Sequence, residues 1–136
     1  MTTVFADTYY FFALLNRRDE SHEAARSFTE RFDGCLVTTT WVLTEVADGM
    51  ADPPDRRAFV GLLAELQTEP QVEVVPASQG LWERGVALYA ARQDKEWSLT
   101  DCLSFVVMQE RGIREALTGD HHFEQAGFGV LLKPPP

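Results

Sequence analysis

Five short apolar, β-prone runs punctuate the chain, at residues 3–6, 35–38, 72–75, 114–117 and 129–132. Their regular interruption by helical stretches constrains the fold more than any other feature. The intervening segments predict helices over residues 8–16, from 19–21 to before Gly34, from Thr39 or Thr40 to about Met50, over 56–67, over 78–93 and over 98–111. One or two further helical turns are expected over 120–125. Strands alternating with helices imply a mostly parallel sheet covered on both faces. The expected fold class is therefore α/β, a three-layer α/β/α arrangement around a central sheet of about five strands. Parallel strands buried on both faces read as short, continuously apolar runs, and these do.

With 136 residues, the chain is expected to form a single domain over 1–136, with a core of about 3–132 and a tail at 133–136. Apolar residues make up 45% of the sequence, enough for a core that needs neither disulfide nor structural metal. Cys35 and Cys102 match no zinc or redox spacing, and both lie in apolar runs. The expectation is two buried free thiols in a reducing cytoplasm. The first residues carry no basic segment of a secretory signal, and the longest apolar run, 9–15, is far short of the ~20 residues of a membrane span.

The formal charge is −9, from 21 acidic and 12 basic residues. That balance argues against tight non-specific binding of nucleic acid, which rests on Lys and Arg at phosphates. It leaves room for a nucleic-acid enzyme whose positive charge is a bound metal ion.

In open parallel sheets, sites form at the carboxyl ends of strands. Asp7 follows the first strand directly, and Asp120 follows the fourth after Thr118-Gly119. Asp101 falls in the first turn of the helix opened by Ser98, and Glu45 about one turn into the helix after the second strand. All four carboxylates are thus expected at one edge. Clustered acids repel unless a cation sits among them. Hard ions such as Mg²⁺ or Mn²⁺ prefer oxygen ligands, can activate water and can neutralise charge on a phosphate. Each acid also has a plainer role. Asp7 can cap the first helix, Asp101 can close a Ser98-Leu99-Thr100-Asp101 capping box, and Asp120 can cap the turn after it. Glu45 lies off the Val42/Leu43/Val46/Ala47/Met50 stripe and can be a solvated charge.

The order Asp7-Thr8, Thr44-Glu45, Trp97-Ser98-Leu99-Thr100-Asp101 and Thr118-Gly119-Asp120-His121-His122-Phe123 resembles the PIN domain family, from Thr3 to about Leu132. Members are metal-dependent ribonucleases, and many are VapC-type toxins of bacterial toxin–antitoxin pairs. The resemblance implies a PIN-like, Rossmannoid fold and an endoribonuclease that leaves a 3′-hydroxyl and a 5′-phosphate. It places the family's acidic positions on Asp7, Glu45, Asp101 and Asp120, with Asp7, Asp101 and Asp120 ligating Mg²⁺ or Mn²⁺, one ion or two. Glu45 would complete the pocket or orient a water, with Thr8 and Thr118 as supporting hydroxyls. It further implies an RNA substrate, a small antitoxin partner, a homodimer and no membrane. A housekeeping RNA-processing nuclease without antitoxin is an alternative. A receiver-like signalling domain is disfavoured, because Lys95 and Lys133 fit no receiver position.

Adjacent His121 and His122 are expected to point apart, which suits packing or capping better than chelation. The helix bearing Phe105-Val106-Val107-Met108 is apolar most of the way round and should be central. The aromatic run 9–12 is expected chiefly in the core, with room for a partner or RNA contact. The Arg17-Arg18 and Arg56-Arg57 pairs can guide phosphate or simply be solvated.

Overall fold

A computed structural model describes residues 1–133. The expected tail, 133–136, lies outside the described residues save for Lys133. The element order is β1 (Thr3–Ala6), α1 (Thr8–Leu15), α2 (His22–Arg31), β2 (Cys35–Thr39), α3 (Thr40–Gly49) and α4 (Pro53–Thr68). It continues with β3 (Val72–Val75), α5 (Gln79–Ala91), α6 (Leu99–Arg111), β4 (Glu115–Leu117), α7 (His121–Gln125) and β5 (Gly129–Val130). The five strands form one sheet in the order β3-β2-β1-β4-β5, and every pairing is parallel.

The expected α/β architecture is therefore present, with small shifts at element ends. The fourth helix starts at Pro53 rather than Arg56, because proline fits the first helical turn, where its missing N–H is not needed. The last strand ends at Val130 rather than Leu132. Its chain still runs along its neighbour: Leu131 N donates to Ala116 O and Leu132 N to Thr118 O, each at 3.0 Å.

Burial tracks the sheet. Val4, Phe5 and Ala6 of β1 are buried, as is every residue of α6 from Asp101 to Met108, which makes α6 the central helix. Tyr10 and Phe11 are buried, while Tyr9 and Phe12 are half-buried, so the aromatic run serves the core. Cys102 is buried as expected, but Cys35 is half-buried, beside Met1 at the amino-terminal edge of the sheet. Among the described residues no helix is long and apolar enough to cross a membrane.

Phe105 ties α6 to its flanking segments. Its ring meets Trp97 at 5.0 Å, Phe123 at 4.9 Å and Phe128 at 5.7 Å between centroids, the first two edge-on. Edge-to-face contact aligns a ring's positive edge with its neighbour's negative face, beyond plain area burial. Trp97 Nε1 also donates to Gln125 Oε1 at 2.9 Å. The start of α6 and the whole of α7 are thereby one packed unit.

Phe105→Ala is expected to lower unfolding free energy by about 3–5 kcal/mol, as a cavity opens in a fully buried ring cluster. Urea denaturation of the variant beside half-buried Phe12→Ala checks this, with the larger loss expected at Phe105.

Candidate active site

Strand register sets the site. Ala6 pairs with Leu117, so the next residues, Asp7 and Thr118, leave the carboxyl edge side by side. Asp7 N donates to Leu117 O at 3.3 Å, and Thr38 Oγ1 donates to Ala6 O at 2.9 Å from the other side. Asp7 occupies the N-cap position of α1, yet its carboxylate makes no capping bond. It accepts instead from Thr118 Oγ1, at 2.8 Å. Thr118 Oγ1 in turn accepts from Asp120 N at 3.1 Å, so one hydroxyl ties the first acid to the backbone of the last.

Asp101 does close the capping box. Its amide donates to Ser98 Oγ at 3.0 Å, and its Oδ2 accepts from Ser98 N at 3.1 Å. Asp120 caps α7, its Oδ1 accepting from His122 N at 2.9 Å. Capping and clustering are therefore not rival roles. The same bonds that start α6 and α7 hold one oxygen of each carboxylate in place.

Asp7 and Asp101 are buried, Asp120 is half-buried and Glu45 is exposed. Burial pushes the Asp7 carboxyl up to about 7; the Thr118 bond opposes that rise, and the charge of Asp101 adds to it. Burial also raises Asp101, with Asp120 pushing the same way and the Ser98 amide and His122 opposing. The three aspartates thus share one pocket electrostatically. Glu45 stands apart, on α3, with no hydrogen bond or ion pair among the described residues. Its charge does not figure among those acting on Asp7 or Asp101.

His122 enters the pocket, contrary to the expectation of diverging imidazoles. Its Nδ1 lies 3.3 Å from Asp101 Oδ2 and 3.4 Å from Asp120 Oδ1. The two histidine rings are 4.4 Å apart, and ligand atoms of Asp120, His121 and His122 fall within 4.8 Å of one another. Helix α7 is a single short turn starting at Asp120, which folds both rings back over its cap. The Asp-x-His spacing next to the cap was the available signal.

The loop bearing Asp120 is also fixed from above. Gly119 packs under the ring of Tyr9, so a Cβ there would overlap the Tyr9 ring and its hydroxyl. Tyr9 Oη is bonded to Ser21 Oγ at 2.6 Å.

These residues suit a divalent cation: carboxylate oxygens of Asp7, Asp101 and Asp120 lie at this edge, with the imidazole nitrogens of His121 and His122 beside Asp120. No lysine or arginine pairs with Asp7, Asp101 or Asp120 among the described residues. Thr8 Oγ1, buried next to Asp7, has no hydrogen-bond partner there either. An orphaned hydroxyl beside a desolvated carboxylate is costly unless something further meets it.

An acid cluster at the carboxyl edge of a five-stranded parallel sheet defines an α/β protein with its site at the strand ends, and comparison with known proteins narrows the class. The PIN domain model matches residues 4–129, and the chain belongs to the PIN domain family. It is 32% identical over 132 residues to the 23S rRNA-specific endonuclease VapC20 of Mycobacterium tuberculosis, covering 96% of this chain and 98% of that one. The crystal structure of M. tuberculosis VapC20, described as a sarcin–ricin loop cleaving toxin, superposes with a TM-score of 0.83 at 28% identity, over 92% of this chain and 95% of that one. A toxin–antitoxin complex from Klebsiella pneumoniae shares the fold at TM-score 0.65 and 20% identity, over 93% and 94% of the two chains. FitAcB from Neisseria gonorrhoeae does so at 0.64 and 15%, over 94% and 96%.

The raised Asp7 carboxyl has a definite sign in stability. The folded protein keeps a proton that the unfolded chain releases near its ordinary value of 3.8. Stability is therefore full at low pH and is lost as pH rises toward and through about 7. The loss reaches a few kcal/mol, since each pKa unit is about 1.4 kcal/mol. Metal-free wild type is expected to melt lower at pH 8 than at pH 5 by a wider margin than Asp7→Asn. Calorimetric melts of both proteins check this, and equal margins would contradict it.

Proposed function

We propose that this chain is a divalent-metal-dependent endoribonuclease that hydrolyses RNA phosphodiester bonds, and that it is the toxin of a cytoplasmic toxin–antitoxin pair. The observation that carries the reading is the pocket itself. Three aspartates from separate elements meet at one sheet edge, two of them buried, with no Lys or Arg among the described residues to neutralise them. Kinship to VapC20 over nearly the whole of both chains supports the reaction and the toxin role.

Asp7, Asp101 and Asp120 hold Mg²⁺ or Mn²⁺ in this reading. A cation held there would supply positive charge against the phosphate and lower the pKa of a water that can attack it. Asp7 Oδ2, Asp101 Oδ2 and Asp120 Oδ1 are each fixed by a hydrogen bond, so the three side chains would meet a cation in held orientations. Glu45, exposed on α3, would orient the attacking water or complete the acidic pocket, as membership of the family implies. Thr118 holds Asp7 and the Asp120 backbone in register, and Thr8 offers its unpartnered hydroxyl. His122 Nδ1 lies between Asp101 Oδ2 and Asp120 Oδ1, and in this reading helps to position both carboxylates. The net charge of −9 leaves substrate binding to the metal and to local contacts rather than to a broad basic face.

Protein partners complete the proposal. An antitoxin is expected because VapC20 is described as a toxin and one solved relative of the fold is a toxin–antitoxin complex. An apolar groove of about 440 Å³, with Leu14, Phe28, Phe32, Leu62 and Leu66 in its wall and Glu65 on its rim, could seat such a partner. A homodimer is the second expected assembly.

The test is cleavage of 23S rRNA, the RNA that names VapC20, by purified protein with Mn²⁺, with Mg²⁺ and with EDTA. Metal-dependent cutting is expected, reduced roughly 10²-fold or more in Asp7→Asn, Asp101→Asn and Asp120→Asn, which is about 3 kcal/mol of barrier each. Glu45→Gln should lose less, about tenfold. Cutting that survives EDTA, or that the aspartate variants retain, would overturn the reading.

A further inference from the structure

We propose that the cleft between the end of α5 and the start of α6 is a substrate subsite. It holds single-stranded RNA beside the scissile bond, with Arg92 and Lys95 at a phosphate and Tyr89 against a base. The proposal rests on the nuclease reading above and deepens it, yet fails separately if RNA is cut and these residues play no part.

The cleft encloses about 770 Å³, within the range of small-ligand sites, and Tyr89, Arg92, Lys95, Trp97 and Ser98 stand in its wall. Aromatic and basic side chains meet there. Single strands are bound by that combination, since bases stack on open rings while cations meet the phosphates. Tyr89 is 52% exposed, a large ring left open to water. Arg92 lies over the indole of Trp97, its guanidinium carbon 5.2 Å from the ring centroid. That contact steadies a planar cation of the kind that grips phosphate oxygens two at a time. The two cations share one carboxylate. Asp94 takes Arg92 through two bonds of 3.0 Å, which leaves Lys95 Nζ 3.9 Å away, beyond hydrogen-bond reach. The half-buried Lys95 ammonium donates no hydrogen bond among the described residues.

Position ties the cleft to the acid pocket. Ser98 lines it and also holds Asp101, through the bonds that close the α6 capping box. Trp97, beneath Arg92, donates to Gln125 of α7, the helix that Asp120 caps. A strand seated at Arg92 therefore rests on the same packed unit that carries two of the three aspartates. A phosphate must displace Asp94 from Arg92, and that pair is open to water and therefore weak. Glu96 is an acid in the same wall, but it is exposed, so water and salt screen it. Other clefts suit RNA less. The apolar groove walled by Phe28, Leu62 and Leu66 has Glu65 and Glu69 in its lining but no Lys or Arg. At the amino-terminal edge of the sheet, Arg111 is already bonded to Glu73 at 2.6 Å.

Fluorescence anisotropy of a labelled 23S rRNA fragment on the full chain in EDTA reads binding apart from cleavage. Cleavage with Mn²⁺ separates KM from kcat, and melting curves confirm that each variant folds. The Arg92→Gln/Lys95→Gln double variant should bind roughly tenfold more weakly, with a log–log salt slope shallower by about 1.4, the loss of two single-strand phosphate contacts. Its KM should rise while kcat falls less. Lys95→Gln alone, which leaves Arg92 on Trp97, should show about half the change in slope. Tyr89→Ala should weaken binding about fivefold, and Tyr89→Phe should restore it. Asp94→Asn, which frees both cations, should tighten binding. Four results would overturn the proposal. One is wild type that binds no RNA with or without Mn²⁺. Another is wild type that cuts RNA while the variants keep its KM and salt slope. A third is a kcat loss without a KM rise, which would reduce Arg92 to a support of Trp97. The last is unchanged RNA binding in variants that no longer hold poly-glutamate, which would give the cleft to an acidic protein segment. Wild type that binds RNA through these residues but does not cut it would sink the nuclease reading alone.

Discussion

Asp7 accepts a hydrogen bond from Thr118 Oγ1 and faces Asp101 in a pocket that water barely reaches. Two desolvated carboxylates in one place are unfavourable on their own. The carboxyl edge of the sheet is built around holding them there. Parallel pairing of β1 with β4 sets Asp7 level with Thr118, and Thr118 then fixes the backbone from which Asp120 projects. The fold stores electrostatic cost at one point, and a divalent cation is what relieves it in the function proposed.

The supports of that point are mostly apolar. Phe105 packs against Trp97, Phe123 and Phe128, which locks the start of α6 to α7 and so sets Asp101 against Asp120 and His122. Gly119 allows the Tyr9 ring to close over the turn before Asp120, and Ser21 anchors the Tyr9 hydroxyl. Caps serve twice. Ser98 starts α6 and orients Asp101, and Asp120 starts α7 while remaining part of the pocket. A site placed on element ends and backed by a rigid core needs little reorganisation when substrate arrives.

Much of this is visible in the chain before folding. Continuous apolar runs mark buried parallel strands, and the unbroken burial of α6 comes from its apolar circumference. Asp7, Asp101 and Asp120 are legible because strand ends and helix starts coincide at the sheet edge. Glu45 is harder to read. Its position on α3 is clear, but how far an exposed helical side chain stands from a neighbouring pocket depends on helix tilt, which periodicity does not encode. His122 escapes because the rule that neighbouring helical residues diverge applies to full helices. A five-residue turn wrapped on its own cap obeys cap geometry instead. The β5 boundary slips because Leu131 and Leu132 keep donating to the β4 chain after the regular ladder ends.

If cation binding relieves the buried acids, it must displace a proton from Asp7. Calorimetric titration of the metal-free protein with Mn²⁺ at pH 6, in buffers of different ionisation enthalpy, counts that proton directly. Expected is release of close to one proton per binding event, falling as the pH is raised past about 7 and absent in Asp7→Asn. Tight binding with no proton released at pH 6, or no binding at all, would contradict the claim that the edge of this sheet is built for a metal ion.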